Sequence, residues 1–566
     1  MPEASHPRLQ SLAERYWQFL RHEFPLTALL AGQPNEDPTM FREAPADFAR
    51  RAEQAGAMLA ELAGVPRDGL SRQDGITHRL LERELNDLRE VHATGSHLRP
   101  WLLPAGPEFN TIYFANVSQV GNAQDARAYV ARLGTLPTYF DDVRACLLGG
   151  AEAGMHQPRV VLSAAAANLR AAAAGAAEQS PWFGPCRRSL AATQEGVASE
   201  ARRACALIEA RIQPALLALA DCIERELVPR ARDTVACTEG PLGGAFYAFW
   251  ARHFTTCADL EPEAVHQQGL AQVARLEQEM ATVAAQAGFA GDVAGYRRHL
   301  RDEPGFHAAS AEELLWRVQA LAKRIDGKIP GIIGHLPRAT YTVQSIPRAA
   351  AEKLPLAYAQ PNPADGSAAG TFWVSSLPER VPSYLHVSLA LHEAWPGHLM
   401  HIALMQEMDT LPMFRRANFS KYSACLEGWA MYCEGLGHEL GLYDTPHQHF
   451  GRLDMEMWRA CRLVVDTGIH LHGWGREQAV DYMARRLTLS REAIEAEVDR
   501  YVAMPAQALG YMLGGLKFRE LRQRAQQRLG ERFDVRAYHD QLMAAGAVTL
   551  PVLDELVDDW LEQHAA

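Results

Sequence analysis

The stretch Leu391-His392-Glu393-Ala394-Trp395-Pro396-Gly397-His398 constrains the fold of this chain more than any other. It follows an apolar run from Tyr384 to Leu391 that reads as helix, and it sets two imidazoles and a carboxylate close together. A His followed at once by Glu, with a second His shortly after, lets a helix present a divalent metal and a general base side by side. The ordinary spacing puts the two His four residues apart on one helical face, whereas His392 and His398 are six apart. At about 100° per residue, a continuous helix turns the second imidazole well off the face of the first. Pro396 and Gly397 offer a way out. Proline removes an amide donor and displaces the carbonyl four residues back, that of His392, while glycine tolerates unusual dihedrals. Two readings follow: a helix broken between Ala394 and Gly397 that returns His398 to the side of His392, or a plain Pro-Gly helix end with two incidental histidines.

Three downstream segments bear on that choice. Zinc hydrolases with two His and one Glu as ligands draw the Glu from a second helix. The apolar segment Tyr422 to Glu434 reads as such a helix, with carboxylates at Glu427 and Glu434 on one face about two turns apart. Buried carboxylates need a cation or a donor. Glu427 is the candidate third ligand, and Glu434 either orients a ligand imidazole or begins the exposed end of the helix. Between Arg459 and His472, the residues Arg462, Asp466 and His470 recur every four positions. For Arg462 and Asp466 a satisfied ion pair is the plainer reading. His470, beside the Gly473-Trp474-Gly475 break, is a candidate donor to an oxyanion. Finally, Pro505 suits the first turn of a new helix that stacks Gln507 and Tyr511 four apart. Tyr511 is either an oxyanion donor or a core tyrosine with a satisfied hydroxyl.

Taken together, these segments resemble the bacterial proteins grouped as domain of unknown function 885. They follow its patterns H-E-x-x-P-G-H, E-G-W-A, R-L-V-V-D-T-G-x-H and P-x-Q-A-x-x-Y. Upstream, Gly243-Gly244-Ala245-Phe246-Tyr247 with Thr255-Thr256, and Ala128 to Leu133, match as well, so the resemblance runs from about Asp125 to Arg524. It implies a mainly α, two-lobed helical fold similar to the thimet-oligopeptidase and angiotensin-converting-enzyme type of zinc metallopeptidase, a gluzincin. Such a fold has a deep central channel for substrate and a small sheet near the active site. The chain departs from the pattern at His401, where Gln is expected, at Leu399, where a second His often follows, and at Met512, where Lys often follows the Tyr. His401 adds an imidazole one turn after His398, which leaves open whether His398 and His401 form an alternative ligand pair.

Helix dominates the rest of the chain. Segments with a 3.6-residue apolar period lie at about 8–22, 46–64, 71–92, 125–150, 158–178 and 188–226, and another follows Pro262 to about Ala287. Between 338 and 376 the texture changes. Ala339 to Ile346 and Gly370 to Ser375 have the β-branched and aromatic content of short strands, with a loop at Gln360 to Gly366. Gly370, Phe372 and Trp373 lie on the strand expected either to offer its edge to an extended peptide or to form a structural hairpin. At 566 residues the chain exceeds one core, so an N-terminal helical lobe, 1–240, and a catalytic lobe, 241–566, are expected.

A net charge of −12 with no basic aromatic cluster argues against a nucleic-acid partner. No apolar run is long enough to span a membrane. The start Met1 to Pro7 lacks the marks of a secretory signal, and nine scattered cysteines suit free thiols in the cytoplasm. The expected function is a Zn²⁺-dependent hydrolase of a peptide or small amide substrate, monomeric or homodimeric. His392, His398 and Glu427 hold the metal, Glu393 is the general base, and Tyr511 with His470 stabilises the oxyanion. Arg462, Asp466, Gln507 and Glu434 support the site or the substrate. Two other classes stay open: a metal-dependent biosynthetic enzyme acting on a small non-peptide substrate, and a metal-free helical binding protein.

Overall fold

The computed structural model describes residues 6–34, 36–191, 196–352, 354–364, 366–418 and 420–565. The chain is mainly helical with one small sheet, and it separates into two compact units, 1–247 with 499–504, and 248–498 with 505–566.

In the first unit the helices Pro7–Glu23, Pro45–Leu62 and Arg72–Ala93 pack together over Trp17, Leu80, Leu81 and Leu85. Pro7 and Pro45 open their helices, where a missing amide costs nothing. The segment expected as one helix over 125–150 is two, Ala123–Leu133 and Leu136–Glu152, because Pro137 suits only the first turn of a helix. The helix expected to reach 178 stops at Ala173, shortly before Gly175 turns left-handed at φ 88°. Beyond it the chain runs as Gly184–Ala191 and then from Val197 to Leu227, with wider π-type turns at Ile208–Ile212 and Ile223–Leu227. Residues 192–195 of that expected helix, Met1–Ser5 of the N-terminus and Asp365 of the expected loop lie outside the described residues.

The second unit is built on two long helix pairs. Pro262–Gln286 lies along Pro446–His472, the latter opened by a capping box between Thr445 and Gln448. Ser423–Leu436 lies along Leu509–Leu529. Glycine sets the spacing of that second pair: a Cβ on Gly428 would sit 2.5 Å from the Gly514 carbonyl carbon, and one on Gly514 would sit 2.0 Å from the Ala424 oxygen. Backbones pack this closely only where side chains are missing.

The sheet has three strands, β1 (Tyr341–Ser345), β2 (Ala357–Gln360) and β3 (Gly370–Val374), in the order β1-β3-β2. β3 pairs parallel with β1, Tyr341 opposite Gly370, and antiparallel with β2, Ala357 opposite Val374. This corrects two expectations. The arrangement is not a two-stranded hairpin, and Gly370 to Val374 has no edge to offer, since both of its sides are taken. The signal for β2 was weak because Ala357-Tyr358-Ala359-Gln360 carries little β-branched content. Phe372 is buried, and Trp373 stacks on Tyr358 and donates to Gln360 Oε1 at 2.9 Å, so both side chains serve the sheet itself. Gly370 faces the helix after the sheet: a Cβ there would lie 3.0 Å from Leu399 Cδ2.

Candidate metal centre

The helix His386–Glu393 ends where the sequence demands, and a new helix, His398–Gln406, starts after three intervening residues plus Gly397. Ala394 at ψ −127° and Gly397 at ψ −136° carry the chain out of helical geometry, and Trp395–Pro396 is cis. Gly397 turns back so tightly that a Cβ would sit 2.0 Å from the His392 carbonyl oxygen and 2.4 Å from that of Leu391. No residue with a side chain fits there. The break is held from outside by Trp429, whose indole N–H donates to the Pro396 carbonyl at 2.8 Å. The six-residue spacing is thereby resolved: the His392 and His398 rings stand 4.8 Å apart, perpendicular to each other.

Glu427, in the first half of the helix Ser423–Leu436, completes the group. Its Oε2 lies 3.4 Å from His392 Nε2 and 3.4 Å from His398 Nε2, and the three ligand atoms all fall within 4.8 Å of one another. Bond lengths of about 2.0–2.2 Å to zinc at a tetrahedral angle separate neighbouring ligand atoms by about 3.3–3.5 Å, so both His–Glu distances match one shared ion. Oε2 is also shut off from solvent and accepts no hydrogen bond, although an isolated buried carboxylate oxygen is costly. A cation between the three atoms removes that cost. The donor set of two imidazoles and one carboxylate is the chemistry Zn²⁺ takes, and the residues therefore fit the group.

Electrostatics point the same way. Burial alone would lower the His392 pKa, but the Glu427 carboxylate 3.4 Å away, the hydrogen bond to Glu434 and the charge of Glu393 outweigh it and raise the imidazole to about 9. Burial would raise Glu427, yet His398 and His392 hold it well below the usual carboxylate range. Without a metal, the carboxylates keep positive charge on the His392 imidazole. A divalent ion supplies that charge directly and displaces the proton.

Behind the triad, Glu434 Oε1 lies 2.9 Å from His392 Nδ1, the geometry that leaves Nε2 turned toward a metal. Glu434 is 2% exposed, so it does not begin an exposed helix end. Its charge is shared with Arg459, 3.3 Å away, and Tyr443 donates to its backbone carbonyl at 2.7 Å while also meeting Ser388 at 3.1 Å. Sequence reading passed over Arg459. The usable signal was its position in an apolar helix, since a buried guanidinium must have a partner.

The other candidates fall around this core. Glu393 is half-buried beside His392 and contributes to its field. His401 is not one of the three grouped ligand residues: its ring is 1% exposed, lies against Trp429, and is pushed down to about 4 by burial. On Pro446–His472, His470 is fully buried, Arg462 pairs with Glu497 at 3.1 Å, and Asp466 accepts the Ala506 amide at 3.0 Å. The Arg462 guanidinium also lies over the Tyr511 ring, 4.4 Å from its centre. The expected helix from Pro505 is a correction: the helix begins at Leu509, so Gln507 precedes it in a turn and does not share a helical face with Tyr511. Ala506 is the cause, since its φ of 68° is left-handed, costly for a non-glycine residue, and bound in place by Asp466.

A family model described as "Bacterial protein of unknown function (DUF885)" matches residues 25–557. Among solved structures, the fold is similar to that of a "putative lipoprotein" from Colwellia psychrerythraea, with TM-score 0.91 and 28% identity over 98% of this chain and 99% of that one. It is also similar to a protein of unknown function from Shewanella oneidensis described in the same words, with TM-score 0.72 and 18% identity over 98% and 100%. No curated protein matches the chain.

Proposed function

The chain belongs to the DUF885 family, and from that membership and its His–His–Glu cluster we propose that it is a zinc-dependent hydrolase of a peptide or related amide bond, with a gluzincin-like helical scaffold. One observation carries the reading: a Glu427 oxygen shut off from solvent, with no hydrogen bond of normal geometry, stands 3.4 Å from two imidazole nitrogens contributed across a broken helix. Zinc held there acts as a Lewis acid and brings the pKa of water toward neutrality. His392, His398 and Glu427 bind it, and Glu434, with Arg459 behind it, holds His392 in the tautomer that coordinates through Nε2.

Glu393 follows a ligand directly and takes the proton of the attacking water, then returns it to the leaving amine. Tyr511 and His470 supply hydrogen-bond donors to the developing oxyanion, and the Arg462 cation against the Tyr511 ring favours a well-placed phenol. With its nine unpaired cysteines the enzyme is assigned to the cytoplasm, as a monomer or homodimer. The lipoprotein description of the two structural relatives gives the competing location, a lipid-anchored protein, which fractionation decides. Among the described residues no helix is long and apolar enough to cross a membrane.

Digestion of a peptide library by the zinc-loaded protein, read by mass spectrometry, tests the activity. Discrete new termini that vanish with chelation are expected. Intact peptides beside a zinc-loaded protein would move the reaction to a small non-peptide substrate, and absence of any bound metal would leave a binding protein.

A further inference from the structure

Apart from the ligand triad, the second unit contains a concavity of about 300 Å³ lined by Tyr432, Glu434, Arg452, Glu456, Arg519 and Arg522. Its charges are unevenly matched. Arg275, Arg452 and Arg519 converge on the single buried carboxylate of Glu456 at 2.5, 2.6 and 2.5 Å. Glu279 offsets part of the excess, 2.6 Å from Arg275 and 4.0 Å from Arg452. Arg522 is already matched by Glu439, which it binds through two bonds of 2.7 Å, and Glu434 is matched by Arg459.

Three guanidiniums thus face two carboxylates, and the surplus shows in Glu456: burial would raise its pKa, but Arg519, Arg452 and Arg275 together pull it down to about 2. Arg519 and Arg452 both line the concavity, and the Arg519 side chain is 37% exposed although it is paired with Glu456. A guanidinium in excess that lines a concavity is what an anion with several acceptor oxygens satisfies, and the planar fork of arginine suits an oxyanion best.

We propose that this concavity binds a small oxyanion, a phosphate or carboxylate group, held chiefly by Arg519 and Arg452. Apolar walls from Met431 and Leu436 leave space for a small organic body attached to it. The site is independent of the metal reading, although Glu434 is common to both.

Isothermal titration of the full chain with inorganic phosphate, against chloride at matched ionic strength, tests the proposal. Saturable phosphate binding is expected, at least tenfold weaker in Arg519→Gln. Glu456→Gln removes the competing carboxylate and should bind phosphate several-fold more tightly, which keeps the test decisive if the arginine variant fails to fold. Glu427→Gln should bind phosphate as the unaltered chain does. No saturable binding, or a Glu456→Gln protein that binds no tighter, overturns the proposal. So does loss of phosphate binding in Glu427→Gln, which would place the anion at the metal centre instead.

Discussion

Trp429 donates its indole N–H to the Pro396 carbonyl at 2.8 Å, joining the helix that carries Glu427 to the break that separates His392 from His398. Two motifs far apart in sequence are thus one device. Trp429 is fully buried, so removing its donor leaves a buried carbonyl unpaired. Trp429→Phe should destabilise the protein by about 2–4 kcal/mol, from the lost bond and the smaller ring together. Its zinc affinity should fall while His392, His398 and Glu427 all remain, which denaturation midpoints and a competitive zinc titration would report.

Zinc content tests the triad directly. One equivalent per chain is expected by elemental analysis, with loss in His392→Ala and His398→Ala and weaker binding in Glu427→Gln, because a neutral amide is the poorer ligand. Full retention in both histidine variants would remove the site.

Glu434→Gln probes the support behind His392. An amide oxygen still accepts the Nδ1 proton, but Arg459 loses its carboxylate and the imidazole loses basicity. Metal affinity should drop about 10–100-fold, the usual effect of an outer partner. Arg459→Met in the same background should recover stability, since it removes the buried charge that the first change strands.

These tests follow the division between what local pattern reveals and what only packing decides. The helix break, the convergence of His392 and His398, and the placement of the carboxylates Glu427 and Glu434 beside them were readable because each is a polar or conformationally special residue in an apolar run. Arg459 was not, since nothing local shows that its guanidinium reaches back to Glu434. The start of the Tyr511 helix was misplaced because Pro505 signals a first turn, while the left-handed Ala506 behind it is imposed by Asp466, forty positions earlier. β3 was recognised as a strand but taken for an edge, because the short β2 that covers it carries almost no strand signal of its own.

Acid should destabilise the fold through histidines buried as neutral rings. Burial pushes His539 down to about 3 and His386 to about 4, against a backbone bond that only partly opposes it in each. His539 uses both nitrogens, meeting the Tyr432 hydroxyl at 2.7 Å and the Ile332 carbonyl at 2.8 Å, which leaves no place for an added proton. Because the folded pKa lies below the unfolded value, the unfolded chain binds more protons in this range. The stability is complete above about pH 6.5 and is lost as pH falls toward 4. Between pH 7 and pH 5 each ring should account for about 2 kcal/mol. His539→Gln should be less stable at pH 7 yet show a flatter fall to pH 5 in denaturation midpoints; an equally steep fall would exclude His539 as a contributor.

Chemistry and metal binding are separated by Glu393. It follows His392 without being one of the three grouped ligands, and it is half-buried with its charge acting on that imidazole. Glu393→Gln is nearly isosteric and removes no ligand, so fold and zinc content should be unchanged. Turnover should fall about a hundredfold to ten-thousandfold, the contribution of a positioned general base. Tyr511→Phe should also keep the metal and lose about a hundredfold in kcat, the effect of one oxyanion donor, with little change in KM. Near-normal turnover by zinc-loaded Glu393→Gln would rule out the hydrolytic mechanism while leaving the metal centre intact.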